Sequence, residues 1–297
     1  MTDALERLVV RLDNEPSLLE PNQLCQRLEA LDRLDAHFPD VPEAAFAAEP
    51  IDLELYRRAR AICARLEAAN RELYEAIRGE IQRGSRPDAL LRQFHPWVHR
   101  SQEIEDERGS ANGMGYDYLD ELISGVLQLQ EPDAEDIPRV SEQVFYQPTP
   151  ARHIFHLIHL TALAATDLLV DLGSGLGHVS MLVSICTPAR SLGIELEEAY
   201  VARARQCAQS LNLNRVAFLQ QDAREADLST GTVFYLYTPF TGSILSNVLN
   251  RLRREAATRR IRICSYGPCT SVIAEEPWLE PATVPQAHRI ALFSSRG

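Results

Sequence analysis

The chain has 297 residues, 45% hydrophobic and 24% charged, which is the composition of an ordinary globular protein of about two domains. All 30 of its Lys-plus-Arg residues are arginine, so neither a lysine Schiff base nor the lysine of a nucleotide-binding P-loop can be present. The net charge of −12 provides no broad basic surface, so we do not expect nucleic acid as a partner.

Acidic residues are concentrated in the first half of the chain. Residues 1–140 hold 16 Arg against 29 Asp and Glu, whereas residues 141–297 hold 14 Arg against 13 acidic residues. The one locally basic stretch is 251–262, which we interpret as a solvated helix end followed by the start of a strand. The alternative for this stretch is a site for an anion or for a partner.

The cysteines and the apolar runs indicate the cellular location of the protein. The six cysteines form no C-x-x-C pair and sit inside apolar patterns, so we expect neither disulfides nor a zinc site. The first 16 residues contain no continuous apolar core, and no apolar run approaches the ~18 residues of a membrane span. These features favour a cytoplasmic protein without a membrane anchor or a bound metal.

The pattern from residue 1 to 139 is helical throughout, which predicts an all-helical N-terminal domain that selects a substrate or a partner. Amphipathic helices are expected over 12–34, 50–83, 87–108 and 116–129. A glycine at 84 and a proline at 87 should end the longest of these helices.

Small and apolar residues recur along one face of the longest helix, at positions 55, 59, 62, 66, 69, 73 and 76. Their alternating steps of four and three correspond to a period near 3.5, which is typical of a packed helical seam. The seam favours a core within the chain. A homodimer that pairs the 50–83 helix with a second copy is the alternative.

A segment rich in proline and acidic residues at 131–140 is the candidate boundary between a first domain, 1–139, and a second, 140–297. Beyond it, Thr149 and Pro150 should open a helix that runs through Ala165. Strands then alternate with helices, as in a parallel sheet covered on both faces. The expected strands are 167–173, 190–195, 215–222, 232–238, 260–267 and 288–295, and the expected helices are 178–186, 197–212 and 243–257.

A buried strand runs into a three-glycine turn and then into a helix between Leu169 and His178. Glycine permits a tight turn and a positive φ, and it leaves room for a ligand to approach the backbone. Free N–H groups at the start of the following helix favour a negatively charged ligand group. Because His178 stands where the dinucleotide-binding fingerprint needs its last glycine, the motif does not fit a nicotinamide or flavin cofactor.

The motif that does fit is D-x-G-x-G-x-G, at Asp171, Gly173, Gly175 and Gly177. With this motif the chain resembles the class I S-adenosylmethionine-dependent methyltransferases over residues 145–297. The resemblance implies an α/β fold with a doubly wound, seven-stranded, mostly parallel Rossmann-like sheet and an antiparallel C-terminal hairpin. It also implies S-adenosylmethionine as the cofactor and S-adenosylhomocysteine as the product.

Two acidic residues lie where that family places cofactor contacts. Glu195 ends the second strand and is the expected partner of both ribose hydroxyls, and Asp222 follows the third strand and should accept from the adenine amino group. A carboxylate that caps the following helix is the alternative for each. The resemblance therefore implies that the cofactor is bound by Asp171, Gly173, Ser174, Gly175, Gly177, Glu195 and Asp222.

The fourth strand ends in a segment, 237–240, that is similar to the [N/D]-P-P-[Y/F] motif of methyltransferases acting on amino groups. Thr238 has a hydroxyl but no amide carbonyl, which argues against an exocyclic base nitrogen as the acceptor. A plain strand-to-helix turn is the alternative. The catalytic candidates are Tyr146, Tyr237, Thr238 and Phe240, with His153 as a candidate base.

A second glycine-rich segment, 109–115, is followed by Tyr116, Asp117 and Tyr118. It is either a solvated loop between helices or a lid that would bring these three residues to the acceptor. The helical first half and the Tyr/Pro loop ahead of the glycine motif make the chain similar to the non-SET histone lysine methyltransferases. Their Asn-containing fourth motif is not present here.

The sequence therefore predicts transfer of a methyl group from S-adenosylmethionine to a small-molecule or protein acceptor by in-line displacement. The altered motif at 237–240 keeps a non-catalytic, cofactor-binding interaction module as an alternative, and RNA methylation is a third hypothesis. Because the chain contains no lysine, it cannot methylate a lysine side chain of its own.

Overall fold

The structure is a computed structural model that describes residues 2–38, 53–108, 115–132, 147–237 and 242–296. Ten helices and seven strands are present in this part of the chain. The helices are α1 (Thr2–Asp13), α2 (Leu24–Asp35), α3 (Leu53–Gln82), α4 (Pro87–Arg108), α5 (Tyr118–Leu127), α6 (Ala151–Thr161), α7 (His178–Cys186), α8 (Glu198–Ser210), α9 (Gly242–Ala256) and α10 (Cys269–Ala274). The strands are β1 (Leu168–Leu172), β2 (Arg190–Glu195), β3 (Val216–Gln220), β4 (Val233–Tyr237), β5 (Arg262–Tyr266), β6 (Leu279–Pro281) and β7 (Ala291–Ser295).

Contacts group the chain into two compact units, residues 1–77 and 78–297. The second unit holds the sheet and also α4 and α5, which pack on α6 and α7. The rings of Phe94 in α4 and Phe155 in α6, for example, have centroids 5.4 Å apart. The grouping therefore divides the chain before the expected boundary at 139/140, which itself lies outside the described residues, because α4 and α5 cover helices of the second unit.

The first unit is helical and has its own apolar core. Pro16 and Pro21 interrupt the single helix expected over 12–34, so α1 ends at Asp13 and α2 begins at Leu24 after two short 3-10 turns. The core residues come from α1, α2, α3 and the first 3-10 turn, and they are Val9, Leu12, Leu18, Ala30, Leu34, Leu55, Ala59, Ile62, Cys63 and Leu66.

The seam of α3 is largely buried within the chain. Its residues at positions 55, 59, 62 and 66 are at most 6% exposed in the core of the first unit, so they leave no surface for a second copy to cover. Further along, the expected seam residue Ala76 is exposed and Ile77 is buried instead. A straight helix has ~3.6 residues per turn, so a pattern of period 3.5 drifts off the buried face after several turns.

The second unit contains one seven-stranded sheet in the order β3-β2-β1-β4-β5-β7-β6. β7 pairs antiparallel with both β5 and β6, and every other neighbouring pair is parallel. This arrangement confirms the expected α/β class, the seven strands and the antiparallel C-terminal pairing. Helices α9 and α10 share an apolar core with the sheet, and α7 packs on β1 and β2.

The start of α6 differs from the expectation. Thr149 does not cap the helix, because its Oγ1 hydrogen-bonds the hydroxyl of Tyr235 in β4 at 2.8 Å. The first helical N–H, that of Ala151, instead donates to Oδ1 of Asp120 in α5 at 2.7 Å. The helix also stops short of the expected Ala165. The local sequence predicted that Thr149 caps α6. Instead, β4 bonds the side chain of Thr149, and Asp120 of α5 accepts the first helical N–H.

Two further observations concern the chain as a whole. None of the described helices has the length and the apolar character that crossing a membrane requires. All six cysteines carry free thiols, and five of them are buried.

Candidate cofactor and acceptor site

The three-glycine turn connects β1 to α7 at the carboxyl end of the sheet. Gly173, Gly175 and Gly177 have φ values of 81°, 50° and 83°, a region that residues with a Cβ rarely occupy. The N–H groups of Gly173 and Ser174 both donate to the carbonyl of Ile194, at 2.8 and 3.0 Å. The turn is therefore tied to the end of β2.

Phe218 of β3 packs closely against this turn. A Cβ added to Gly177 would lie 2.4 Å from the Phe218 ring, and one added to Gly193 of β2 would lie 2.5 Å from it. No local sequence pattern marks Gly193, because its need for glycine comes from this long-range contact. Ser174 Oγ lies beside the same position, is buried, and has no hydrogen-bond partner within the described residues.

Glu195, the last residue of β2, turns its carboxylate onto the glycine turn. Oε2 accepts from the N–H of Gly175 at 2.8 Å, while Oε1 accepts from the N–H groups of Leu196 and Glu197 at 2.7 and 3.0 Å. A carboxylate offers about four acceptor positions, so one remains on Oε2. A ribose hydroxyl fits that position, and a second hydroxyl would have to displace one backbone N–H.

Asp171 lies in β1 beneath the glycine turn and is 3% exposed. The hydroxyl of Ser180 donates to its Oδ2 at 3.4 Å. Burial raises the pKa of Asp171 to about 7, and the nearby carboxylate of Glu195 acts in the same direction. The two acidic residues of the candidate cofactor site therefore influence each other electrostatically.

Asp222 follows β3 and has an arginine partner. Nη2 of Arg224 lies 2.6 Å from Oδ2 of Asp222, and Nε of Arg224 lies 3.0 Å from both carboxylate oxygens. These hydrogen bonds hold the pKa of Asp222 below its usual value. The carboxylate stays ionised as an acceptor, and the expected bond from an adenine amino group remains a prediction.

Aromatic rings cluster at the carboxyl ends of β4 and β5. Tyr237 and Tyr266 are partners in the parallel register of these strands, and their ring centroids are 4.9 Å apart. The ring of His153 in α6 lies 4.4 Å from that of Tyr266. Tyr266 therefore lies between His153 and Tyr237, and all three side chains are at most 8% exposed.

Two tyrosines near the ends of these strands were not predicted from the sequence: Tyr266 of this cluster, and Tyr235, whose hydroxyl bonds Thr149. Tyr235 precedes Tyr237 by two residues in β4, so both point to the same side of the strand. Tyr266 ends the strand that lies next to Tyr237. Tyrosines at the ends of two successive predicted strands were a signal that could have identified both residues.

The residues after the second glycine-rich segment lie beside the aromatic cluster. The hydroxyl of Tyr116 donates to the carbonyl of Pro148 at 2.8 Å, and partial burial of this half-exposed side chain, together with nearby Tyr237, raises the pKa of Tyr116 to about 12. Arg152 donates to the carbonyl of residue 115 and lies 3.7 Å from the carboxylate of Asp117. Residues 115–117, which follow the glycine-rich segment, are therefore bonded to the start of α6 and to the loop before it, and whether the segment is a lid or a solvated loop stays a prediction.

Three catalytic candidates, Tyr146, Thr238 and Phe240, lie outside the described residues, as does most of the glycine-rich segment, 109–114. Their expected roles stay predictions. In the part of the chain that the structure describes, no group of three or more His, Cys, Asp or Glu side chains could hold a metal ion.

The strand order, with β7 reversed between β5 and β6, and the D-x-G-x-G-x-G turn bonded to Glu195 define the fold of the class I methyltransferases. More narrowly, residues 139–234 match the family model of the histone methylation protein DOT1. This match covers 96 of the 297 residues. It confirms the similarity to non-SET histone lysine methyltransferases that the sequence indicated.

Solved structures similar to this chain include three from bacteria. An RNA methyltransferase from Salinibacter ruber, in complex with S-adenosyl-L-homocysteine, is 25% identical with a TM-score of 0.41, and the match covers 50% of this chain and 92% of that one. The putative methyltransferase YhhF from Escherichia coli is 16% identical, with a TM-score of 0.40 and coverage of 50% and 87%. A methyltransferase from Geobacter sulfurreducens is 19% identical, with a TM-score of 0.40 and coverage of 50% and 82%. No curated protein matches the chain.

Proposed function

We propose that the protein transfers the methyl group of S-adenosylmethionine to a side chain of another protein. The observation that carries this proposal is the 2.8 Å hydrogen bond from the N–H of Gly175 to Glu195, which joins the glycine turn and the second-strand acid into one cradle. The match over 139–234 to a family of histone methylation proteins supports a protein acceptor. The free thiols support a cytoplasmic location.

The residues of the cradle fit this cofactor. The left-handed glycines allow the tight turn, Ser174 has a buried hydroxyl without a hydrogen-bond partner in the described chain, and Glu195 keeps one acceptor position for a ribose hydroxyl. Asp222, kept ionised by Arg224, is proposed to accept from the adenine amino group. When bound, S-adenosylmethionine supplies an electrophilic methyl group on a sulfonium sulfur.

On the acceptor side, we assign Tyr237 to the wall that faces the sulfonium, since an aromatic face attracts a cation and excludes water. Tyr146, Thr238 and Phe240 are proposed to complete this wall. His153 is separated from Tyr237 by Tyr266, so we assign it to positioning these rings rather than to accepting a proton. Alignment of the acceptor with the methyl group is then the main contribution of the protein.

Methyl transfer can be tested with tritiated S-adenosylmethionine, the purified full chain and a cell extract depleted of small molecules. We expect label in a fraction that protease releases and ribonuclease does not. The Glu195→Ala variant should incorporate clearly less label than the wild type at a cofactor concentration near the wild-type Kd. The Glu198→Ala variant, which changes an exposed carboxylate in the first turn of α8, should incorporate label like the wild type.

The other outcomes decide between the remaining hypotheses. Label that ribonuclease releases would replace the protein acceptor with RNA, and label in the acid-soluble fraction of an undepleted extract would replace it with a small molecule. Saturable cofactor binding in a calorimeter without any incorporation would favour a non-catalytic interaction module. Absence of both binding and incorporation, with a folded protein, would overturn the proposal as a whole.

A further inference from the structure

A groove with four arginines lies between α9 and the segment that follows β3. It encloses about 690 Å³, and its polar lining consists of Arg224, Asn247, Asn250, Arg251, Arg253 and Arg254, without a carboxylate. The residues from α9 recur at steps of three and four, so they form one face of that helix. Arg224 comes from the opposite wall. Guanidinium groups from two separate elements therefore converge on one cavity.

Arg251 ties the two walls of the groove together. Its guanidinium donates to the backbone carbonyls of Arg224 and Ala226, which belong to the segment after β3. Arg224 is in turn oriented by its bonds to Asp222, and its side chain remains 48% exposed. Hydrogen bonds from Arg251 thus connect the two walls of the groove, and Arg253 and Arg254 take no part in them.

Arg253 and Arg254 are exposed and form no salt bridge within the described residues. Some other arginines pair with a carboxylate four residues away, as Arg92 does with Asp88 and Arg259 with Glu255. The positions four residues from Arg253 and Arg254 hold Leu, Ala, Asn and Thr, so such a pair cannot form. The groove therefore presents two exposed cations without a salt-bridge partner in the described residues, in a chain whose net charge is −12.

Either the helix dipole or the binding of phosphate could explain arginines at the end of α9. Favourable interaction with the helix dipole accounts for arginine in the last turns of α9. The helix dipole does not account for Arg224 on the opposite wall. It also does not account for the side-chain amides of Asn247 and Asn250, which line the groove. Guanidinium groups bind phosphate oxygens through paired N–H donors, and amide groups add further donors.

We propose that this groove binds phosphate groups, supplied either by a free oligophosphate or by a nucleic-acid strand. Arg224 of the groove pairs with Asp222, and none of the lining residues belongs to the aromatic cluster, so the groove is separate from the acceptor wall. Its ligand is held by Arg253 and Arg254, with Arg224 completing the contact from the opposite wall. This site does not depend on the methyltransferase proposal.

The test is calorimetric titration of the full chain with inorganic tripolyphosphate at about 50 mM salt. The double variant R253E/R254E should weaken binding by about tenfold or more. The matched control, R260E/R289E, changes the net charge equally at two exposed arginines outside the groove and should stay within about twofold of the wild type. Thermal unfolding of both variants shows whether each is folded.

A labelled single strand of about 12 nucleotides distinguishes the two sources of phosphate. If the source is nucleic acid, the strand binds more tightly than tripolyphosphate, and R253E/R254E reduces the slope of log affinity against log salt by about 1.4. If the source is a free oligophosphate, the strand binds no more tightly. The proposal is overturned if the wild type shows no saturable tripolyphosphate binding, or if both double variants weaken it equally.

Discussion

The cofactor side and the acceptor side of the candidate site are built in different ways. The cofactor side consists of backbone and carboxylate, with three left-handed glycines and the Glu195 carboxylate all within the β1–α7–β2 unit. The acceptor side consists of buried rings from β4, β5 and α6, joined by contacts such as that of Thr149 with Tyr235. A short motif in one stretch of chain can define the first side, whereas only the folded sheet assembles the second.

The largest expected loss of stability from a single substitution comes from a glycine of the cofactor side. Gly177→Ala places a Cβ 2.4 Å from the ring of Phe218 at a φ of 83°, so it adds a steric clash to backbone strain. We expect a loss of about 3 kcal/mol in the free energy of unfolding, measured by urea denaturation.

Gly84→Ala is the matched control for this change. Gly84 also has a positive φ, 73°, but an added Cβ there meets no atom within 4 Å. It should therefore cost only the strain, about 1 kcal/mol. Equal losses in the two variants would show that close packing against Phe218 does not constrain the turn.

The second effect concerns cofactor affinity. Glu195→Ala removes the acceptor for the N–H of Gly175 and the open position for a ribose hydroxyl. Calorimetry should show at least about tenfold weaker binding of S-adenosylmethionine, or ~1.4 kcal/mol. Glu198→Ala, at an exposed carboxylate nearby, should leave the affinity unchanged. Wild-type affinity in a folded Glu195→Ala variant would refute the assignment of the cofactor side.

A smaller effect is expected at the junction between the acceptor side and α6. Thr149→Val leaves the buried hydroxyl of Tyr235 without its partner, at a cost of about 1–2 kcal/mol in the free energy of unfolding. The double variant Thr149→Val/Tyr235→Phe removes both polar groups, so it should cost less than the sum of the two single changes. Strict additivity in this cycle would mean that the hydrogen bond does not couple α6 to β4.

The remaining effects are pH dependences with opposite signs. Because burial raises the pKa of Asp171 to about 7, the folded state binds a proton more tightly than the unfolded state, and Asp171 contributes more stability as the pH falls from 7 towards 4. For Asp222 the pKa is lowered by Arg224, so its contribution is present above about pH 4 and is lost as the pH falls further.

Urea denaturation of the wild type, Asp171→Asn and Asp222→Asn across this pH range measures both contributions. The advantage of the wild type over Asp171→Asn should grow on acidification, whereas its advantage over Asp222→Asn should shrink. The same sign for both variants would contradict the burial of Asp171 beneath the turn or the pairing of Asp222 with Arg224.

Much of the second unit could be predicted from local sequence. Six of the seven strands and the glycine turn lie where alternation, apolar runs and D-x-G-x-G-x-G predict them. The missed strand, β6, has three residues, includes Pro281 and lies at the sheet edge, so it carries no alternation to detect. In the first unit, Pro16 and Pro21 ended helices that the apolar periodicity alone had joined.

The sequence by itself determined the class of fold and the candidate cofactor residues, because the glycine turn and its acids are set by spacing along a single strand–turn–helix–strand unit. The residue composition also established that every basic side chain other than histidine is arginine. Tertiary structure alone decided that Asp120 replaces Thr149 at the start of α6, that Tyr266 separates His153 from Tyr237, and that Arg224 faces the arginines of α9. These arrangements depend on contacts between segments far apart in the chain, which no local pattern records.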